Sequence, residues 1–379
     1  MSQMMPELGL DDRASEAVEK AMRRHLANLT EITVQRVCNC FSDMTKPSEL
    51  LDEKAAATGE AGDALLTMVA DMQTMLDENP SLLTGWRDVM VDRMQEQMAR
   101  TFDVLCNRMD ALAHGTRCLA LARLCEDLES EVLPKLAERM SVLSSGALHS
   151  RQAFNQAMVQ SQLRATASGL CGKFARDEAA RESAVARGCL WSVEWEECTS
   201  EAAELGRPKH STLFMPVVQH IDEHCDRVAQ VLPREKPSAA AGDAGASVAD
   251  GEVSIALARA SAQSVERGIE KMFKQKVTVY SAVTKPTVEA VMRVMCKAVM
   301  KAIVEGVRVL DMSQGAFGEL QVASSALYVS MVRRGGHSGE LDAVAEELAS
   351  SMHDRTAGEG GALGEDNVVR LAAEAQRER

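Results

Sequence analysis

His220-Ile221-Asp222-Glu223-His224-Cys225 places two imidazoles four residues apart on one helix face, the spacing at which helical histidines can share a metal ion. In the metalloprotease pattern a glutamate directly after the first histidine activates the zinc-bound water, and here Ile221 stands in that place. The pair therefore reads as part of a partly exposed polar helix face. A helical-bundle metal-dependent enzyme built on His220 and His224 is the alternative of a different class. Gly358-Glu359-Gly360-Gly361-Ala362-Leu363-Gly364 has the glycines of a phosphate loop but neither a preceding strand nor a Lys-Ser/Thr ending, so it reads as a connector. No G-x-S-x-G elbow occurs, and no cysteine has a histidine beside it in a loop to activate a thiolate. Paired carboxylates such as Glu194, Glu196 and Glu197 carry little information in a chain with 56 acidic residues. No catalytic, cofactor-binding or metal-binding residue is assigned, no cofactor is expected, and no reaction class follows.

The charge distribution narrows the partners. Residues 1–252 carry 26 basic and 40 acidic groups, whereas residues 253–379 carry 16 of each. Nucleic-acid binding rests on clustered Lys and Arg that displace counterions, and no basic domain exists, so no nucleic acid is expected. One local excess stands out: residues 264–310 hold nine Lys or Arg against four acids. It includes Lys271, Lys274, Lys276, Lys285, Arg293, Lys297, Lys301 and Arg308. It reads first as a solvated face, and otherwise as a surface for an acidic partner or an anionic membrane.

The elements that carry these residues are helical. Only 3% of the chain is aromatic and 22 residues are Met, with abundant Ala and Leu, a composition that favours helix over sheet. Ten cysteines, Cys38, Cys40, Cys106, Cys118, Cys125, Cys171, Cys189, Cys198, Cys225 and Cys296, form no C-x-x-C pair and read as buried thiols of a reducing compartment. The N-terminus lacks the pattern of a secretory signal, and no apolar run approaches the ~20 residues that cross a bilayer, so any membrane contact is expected to be peripheral.

Along the chain, Ala17, Met22, Leu26, Leu29, Ile32, Val34 and Val37 suit one amphipathic helix over 12–39. A second helix starts near Ser48. It is weakly broken at Gly59 and Gly62 before the seam Leu65, Val69, Met72 and Leu76, which Asn79-Pro80-Ser81 ends. Trp86, Val89, Met94, Met98, Phe102, Leu105, Met109 and Leu112 form a long stripe, read as bundle core rather than as the exposed Met-rich groove of a calmodulin-like or membrane-curving scaffold. Further helices are predicted over 119–140 with a kink at Pro134, over 153–174 and over 211–231, while 188–208 reads as irregular. Residues 233–251 are low in complexity. Beyond them come a helix ending near Phe273, an extended piece at Val277–Tyr280 and a helix with Pro286 in its first turn that runs to Leu310. In that helix Val288, Val291, Met295, Val299, Ile303 and Val307 face the core, and Glu289, Arg293, Lys297, Lys301 and Glu305 face water. Gly315 and Gly318 make a turn, a helix follows over 319–333 with Gly335-Gly336 as its cap, Ser338 opens another, and a last polar helix ends at Arg379. The domains expected are an N-terminal helix (1–45), a helical bundle or rod (46–232), a linker (233–252) and a C-terminal helical domain (253–379).

Within the C-terminal third, Ile269-Glu270-Lys271-Met272-Phe273, then Val277-Thr278-Val279-Tyr280-Ser281-Ala282-Val283, then the long helix closing on Glu305-Gly306-Val307-Arg308, then Phe317-Gly318-Glu319-Leu320-Gln321-Val322, resemble one family. The likeness is to the C-terminal region of the vacuolar protein sorting subunit fifty-one (fat-free) family, and it covers about 253–334, fading upstream into generic helix pattern. It implies an all-α fold of elongated, stacked helical bundles of the tethering-rod type. It implies a non-enzymatic subunit of the Golgi-associated retrograde protein complex or its endosomal relative, in the cytoplasm and peripheral at the trans-Golgi network and endosomes. Sister tethering subunits are the implied partners, with a syntaxin-type fusion protein or a small GTPase as further ones. The family's N-terminal coiled coil and syntaxin-binding segment have no counterpart here, so the chain is expected to begin within the rod. A subunit of another helical rod, the exocyst or the conserved oligomeric Golgi complex, is the alternative within the same physical class.

Overall fold

A computed structural model of the chain describes residues 10–42, 49–78, 87–145, 154–198, 209–235, 283–336, 338–356 and 365–377. It is all-α, and among the described residues there is no strand. Two compact units divide it at Leu170/Cys171.

The first unit contains α1 (Leu10–Ser42), α2 (Glu49–Glu78), α3 (Arg87–Leu112), α4 (Arg117–Asp127), α5 (Leu133–Ser145) and the beginning of α6 (Gln156–Trp191). Apolar periodicity accounts for most of it. Met94, Met98, Phe102, Leu105 and Met109 of α3 are buried, as are Leu65, Val69, Met72 and Leu76 of α2, and each side chain buried this way contributes about 1.5–3 kcal/mol. The stripe on α3 is thus core; its member Val89 is exposed, and Trp86 lies outside the described residues. On α1 the buried line runs through Met22, Leu26, Thr30, Thr33, Val34 and Val37, leaving Ile32 exposed. Thr30 belongs to the core because its Oγ1 lies 3.0 Å from Thr101 Oγ1 of α3 and accepts from Gln97 Nε2 at 2.8 Å, so the buried hydroxyls are satisfied.

One expectation changes here, and a second acquires its local geometry. Gly62 does not break α2: a Cβ there would lie 3.0 Å from Val132 Cγ2, so its missing side chain admits a neighbour. That neighbour belongs to the π-helical turn Leu128–Val132, which joins α4 to α5 where a proline kink was expected. The Leu133 N–H reaches back to Leu128 O, and the widened turn makes room for the ring of Pro134, which a regular α-turn would force against the carbonyl four residues earlier.

The second unit holds the rest of α6, a 3-10 turn at Trp195–Glu197, α7 (Met215–Val231), α8 (Val288–Val307), α9 (Gln314–Gly335), α10 (Gly339–Arg355) and α11 (Glu365–Arg377). α9 is the axis. It packs against α7, α8, α10, α11 and the 3-10 turn, and every residue from Gly315 to Met331 is buried. The turn expected at Gly315 and Gly318 is therefore helix, begun by the Ser313 side chain, which accepts from Ala316 N at 3.3 Å. Burial on all sides outweighs the ~1 kcal/mol that each helical glycine costs. Gly336, at φ 75°, ends α9 as the sequence predicts, its N–H donating to Val332 O at 2.9 Å. α6 runs to Trp191, well past the expected end at Phe174.

Except for 233–235, the expected linker at 233–252 lies outside the described residues, as do the predicted helix before Phe273, the extended piece at Val277–Tyr280 and the connector at 358–364. The helices on either side of the linker, α7 and α8, belong to one unit, and the chain returns to the point it left. Val288 N–H donates to Pro233 O (3.1 Å), Glu235 N–H to Glu289 Oε2 (2.7 Å), and the Thr287 hydroxyl to Glu235 Oε1 (3.1 Å).

Gly335 lets the end of α9 lie against the backbone of α8. A Cβ there would stand 3.2 Å from the backbone N of Arg293 and 3.3 Å from its Cα, and backbone cannot swing aside as a side chain can. Gly335→Val is expected to destabilise the second unit by about 1–3 kcal/mol, read as a lower urea midpoint with an unchanged slope.

Candidate functional site

Three clusters in the second unit bring together the residues that the sequence singled out. The first joins α6 to α7. Glu182 sits between both histidines, with Oε2 3.0 Å from His220 Nδ1 and Oε1 3.0 Å from His224 Nε2, while Glu178 Oε2 lies 3.7 Å from His224 Nε2. Arg227 Nη2 is 2.9 Å from His224 Nδ1; a guanidinium only donates, so Nδ1 accepts and Nε2–H donates to Glu182. The polar helix face is thus partly interior: His224 is 3% exposed at its side chain and Glu182 6%. Burial pushes the Glu182 carboxyl up, but the hydrogen bonds from His224 and His220 outweigh it and hold it below its ordinary 4.5. Both imidazoles are engaged with one carboxylate, which makes the cluster an inter-helix clasp. Among the described residues no group of three or more His, Cys, Asp or Glu side chains is placed to hold a metal ion.

The second cluster is the basic face of α8, and the structure revises its wet side. α10 lies on it: Lys297 Nζ is 2.9 Å from Glu340 Oε2, Lys301 Nζ 2.5 Å from Glu347 Oε1, and Arg308 bridges Glu305 (2.8 Å) and Glu347 (2.6 Å). Lys297 is only 1% exposed, its aliphatic stem packed and its ammonium held by Glu340 of the neighbouring helix. Arg293 lies 3.6 Å from Glu235. These cations therefore fasten α10 and the start of α8 within the unit, with Arg293 and Arg308 still partly exposed. Lys271, Lys274 and Lys276 lie outside the described residues. On the next helix the Tyr328 hydroxyl donates to Asp342 of α10, and burial together with that carboxylate drives its pKa upward.

The third cluster lies where α6 ends. Trp195 is 2% exposed; its indole Nε1–H donates to Leu190 O at 2.7 Å and so caps α6, and its ring stands 5.8 Å from that of His210. Its carbonyl accepts from Ser313 N (3.1 Å), and the Ser313 hydroxyl lies 2.9 Å from the same oxygen and 2.6 Å from Cys198 O, tying the turn to the start of α9. Glu319 of α9 accepts from the backbone N–H groups of Lys209 (3.0 Å) and His210 (2.8 Å). Between these anchors is an open cleft of about 320 Å³ lined by Val193, Glu194, Glu197, Lys209, His210 and Glu319. Sequence reading missed Trp195, Glu182 and Glu319 as organising residues; the one available signal was two tryptophans four apart in an acidic stretch.

Most of the described cysteines are interior. Cys38, Cys106, Cys118, Cys125, Cys171, Cys225 and Cys296 are buried, and burial raises the thiol pKa of Cys296 to about 12. In the first unit, a depression of about 530 Å³ is open and lined by Arg36, Asn39, Glu60, Asp63, Ala64 and Thr67.

These features define an all-α protein whose polar side chains join helix to helix and whose apolar seams build helical bundles. No protein-family model matches the sequence, and no solved structure matches it. Over 403 aligned positions the chain is 20% identical to the vacuolar protein sorting-associated protein 51 homolog of Arabidopsis thaliana, an alignment that covers 94% of this chain. The chain spans half the length of that relative. The resemblance read from 253–334 is therefore met by a relative of that name, and the similarity extends upstream of the residues that first suggested it.

Proposed function

We propose that the chain is a non-enzymatic subunit of a multisubunit vesicle-tethering complex, of the Golgi-associated retrograde protein type or its endosomal relative, acting in transport from endosomes to the trans-Golgi network. The observation that carries this reading is similarity to the vacuolar protein sorting-associated protein 51 homolog along 94% of the chain. The physical construction supports it. A tether subunit works through helix faces that neighbours can dock on, and the ionisable clusters described above are engaged in holding helices to one another. In this reading the chain works in the cytoplasm, sister tethering subunits are the partners, and a syntaxin-type fusion protein or small GTPase is a further one. Membrane contact is peripheral; among the described helices none is long and apolar enough to cross a membrane.

Mass spectrometry of material co-purifying with the tagged full chain tests this. Stoichiometric recovery of sister subunits of the retrograde complex is expected. Recovery of exocyst or conserved oligomeric Golgi subunits in their place would move the chain to another tether, and absence of every tethering subunit would overturn the proposal.

A further inference from the structure

Trp191, the last residue of α6, and Trp195, in the 3-10 turn that follows, are used in opposite ways: Trp195 is buried and caps α6, whereas Trp191 is 62% exposed. An exposed indole leaves a large apolar area in water, and tryptophan is enriched among residues that dominate binding at protein interfaces. A second apolar side chain joins it. Leu190 crosses α8 at Gly306, where a Cβ would lie 2.8 Å from Leu190 Cδ1, and one turn beyond Gly306 comes Val309, 68% exposed, its N–H donating to Gly306 O. Further along, Ser313 ties the two segments together again, at Trp195 and Cys198. Trp191 and Val309 thus flank one crossing of the second unit, next to the cleft that Val193 lines.

The surrounding charge selects the occupant. Glu194, Glu196, Glu197 and Asp311 are exposed, and among the described residues no cation forms an ion pair with their carboxylates. Of the cations nearby, Arg308 is already held by Glu305 and Glu347, and Lys209, which lines the cleft with Glu194 and Glu197, leaves the four carboxylates in excess. A rim of unneutralised carboxylates repels an anionic lipid surface, and it repels an acidic copy of itself, but it attracts lysine and arginine. We propose that the corner made by Trp191 and Val309 is a docking site for a segment of another protein that inserts an apolar side chain flanked by Lys or Arg.

The test uses the full chain, purified with whatever assembles on it, carrying a photo-crosslinking benzoylphenylalanine at position 191 and, separately, at 309. A control carries it at Val142, a valine of the first unit that is 56% exposed. Adducts from 191 and 309 are expected to map to one segment of a different protein with an apolar residue beside Lys or Arg. Glu194→Lys together with Glu197→Lys is expected to lower the yield about tenfold, with the helical circular dichroism and melting transition unchanged. Adducts confined to this chain's own residues or to a second copy would overturn the proposal. So would adducts to lipid alone, yields no higher than at position 142, or yields unaffected by the charge reversal. The proposal goes beyond the tethering reading: the captured protein's identity bears on that reading, whereas the captured segment's composition and its loss on charge reversal bear on this surface.

Discussion

Trp195→Ala is expected to destabilise the second unit by about 3–5 kcal/mol, the range for removing a buried tryptophan without collapse of the site. Several losses coincide. The indole is 2% exposed, its N–H is the donor on Leu190 O, and its ring packs toward His210. With the ring gone, the end of α6 loses its cap and the turn bound by Ser313 loses its filling. At a urea slope of about 2 kcal/mol per molar, the transition of this unit should fall by about 1.5–2.5 M. Trp195→Phe retains most of the volume and removes only the donor, so a cost of about 1–2 kcal/mol is expected. Trp191→Ala should fall within about 0.5 kcal/mol of the parent, because that side chain is in water. Equal effects of the alanine substitutions at 191 and 195 in urea unfolding would contradict the roles assigned to the two rings.

Glu182→Ala is expected to cost about 2–3 kcal/mol near neutral pH. That is somewhat below the ~3–5 kcal/mol of a fully orphaned buried pair, because Glu178 and Arg227 remain beside His224. The pH dependence gives the sharper signature. The folded chain holds the Glu182 proton less tightly than the unfolded chain does, so the carboxylate's contribution is complete above its ordinary 4.5 and is lost as pH falls through the depressed folded value. The parent should therefore lose stability on the acid side of pH 4.5 more steeply than Glu182→Ala does. Glu182→Gln can still accept from His224 but not from both rings, and should fall between the two. Urea unfolding from pH 3 to 7 measures all three; parallel curves for the parent and Glu182→Ala would show that the clasp is not linked to this proton.

Apolar periodicity made α3 and the core side of α8 legible in the sequence, because there the buried residues are the apolar ones. It failed where burial was achieved by other means. The helix ending at Trp191 was expected to stop at Phe174 because the inward positions beyond it include Glu178, Glu182 and Ser183, and a carboxylate looks like surface unless the imidazoles bonded to it, some forty residues on, are known to face it. Lys297 was read as wet for the same reason, its partner Glu340 lying on another helix. Glycine misled in the opposite direction: Gly62, Gly315 and Gly318 read as breaks, yet each lies inside a helix. Of the candidate site, the two histidines were legible as a pair. That Glu182 joins them, and that one tryptophan of 191 and 195 is interior and the other outside, depends on tertiary neighbours no local pattern encodes.

Since α9 is enclosed from Gly315 to Met331, that stretch cannot rest stably in water before its neighbours arrive, and two of them, α10 and α11, are synthesised after it. A ribosome-bound or prematurely terminated chain lacking Glu365–Arg377 would carry an oily rod with one flank open, a target for chaperones and for degradation. The second unit of a newly made chain should therefore mature as a whole rather than piece by piece, and a frameshift that removes α11 should be as damaging as one within α9.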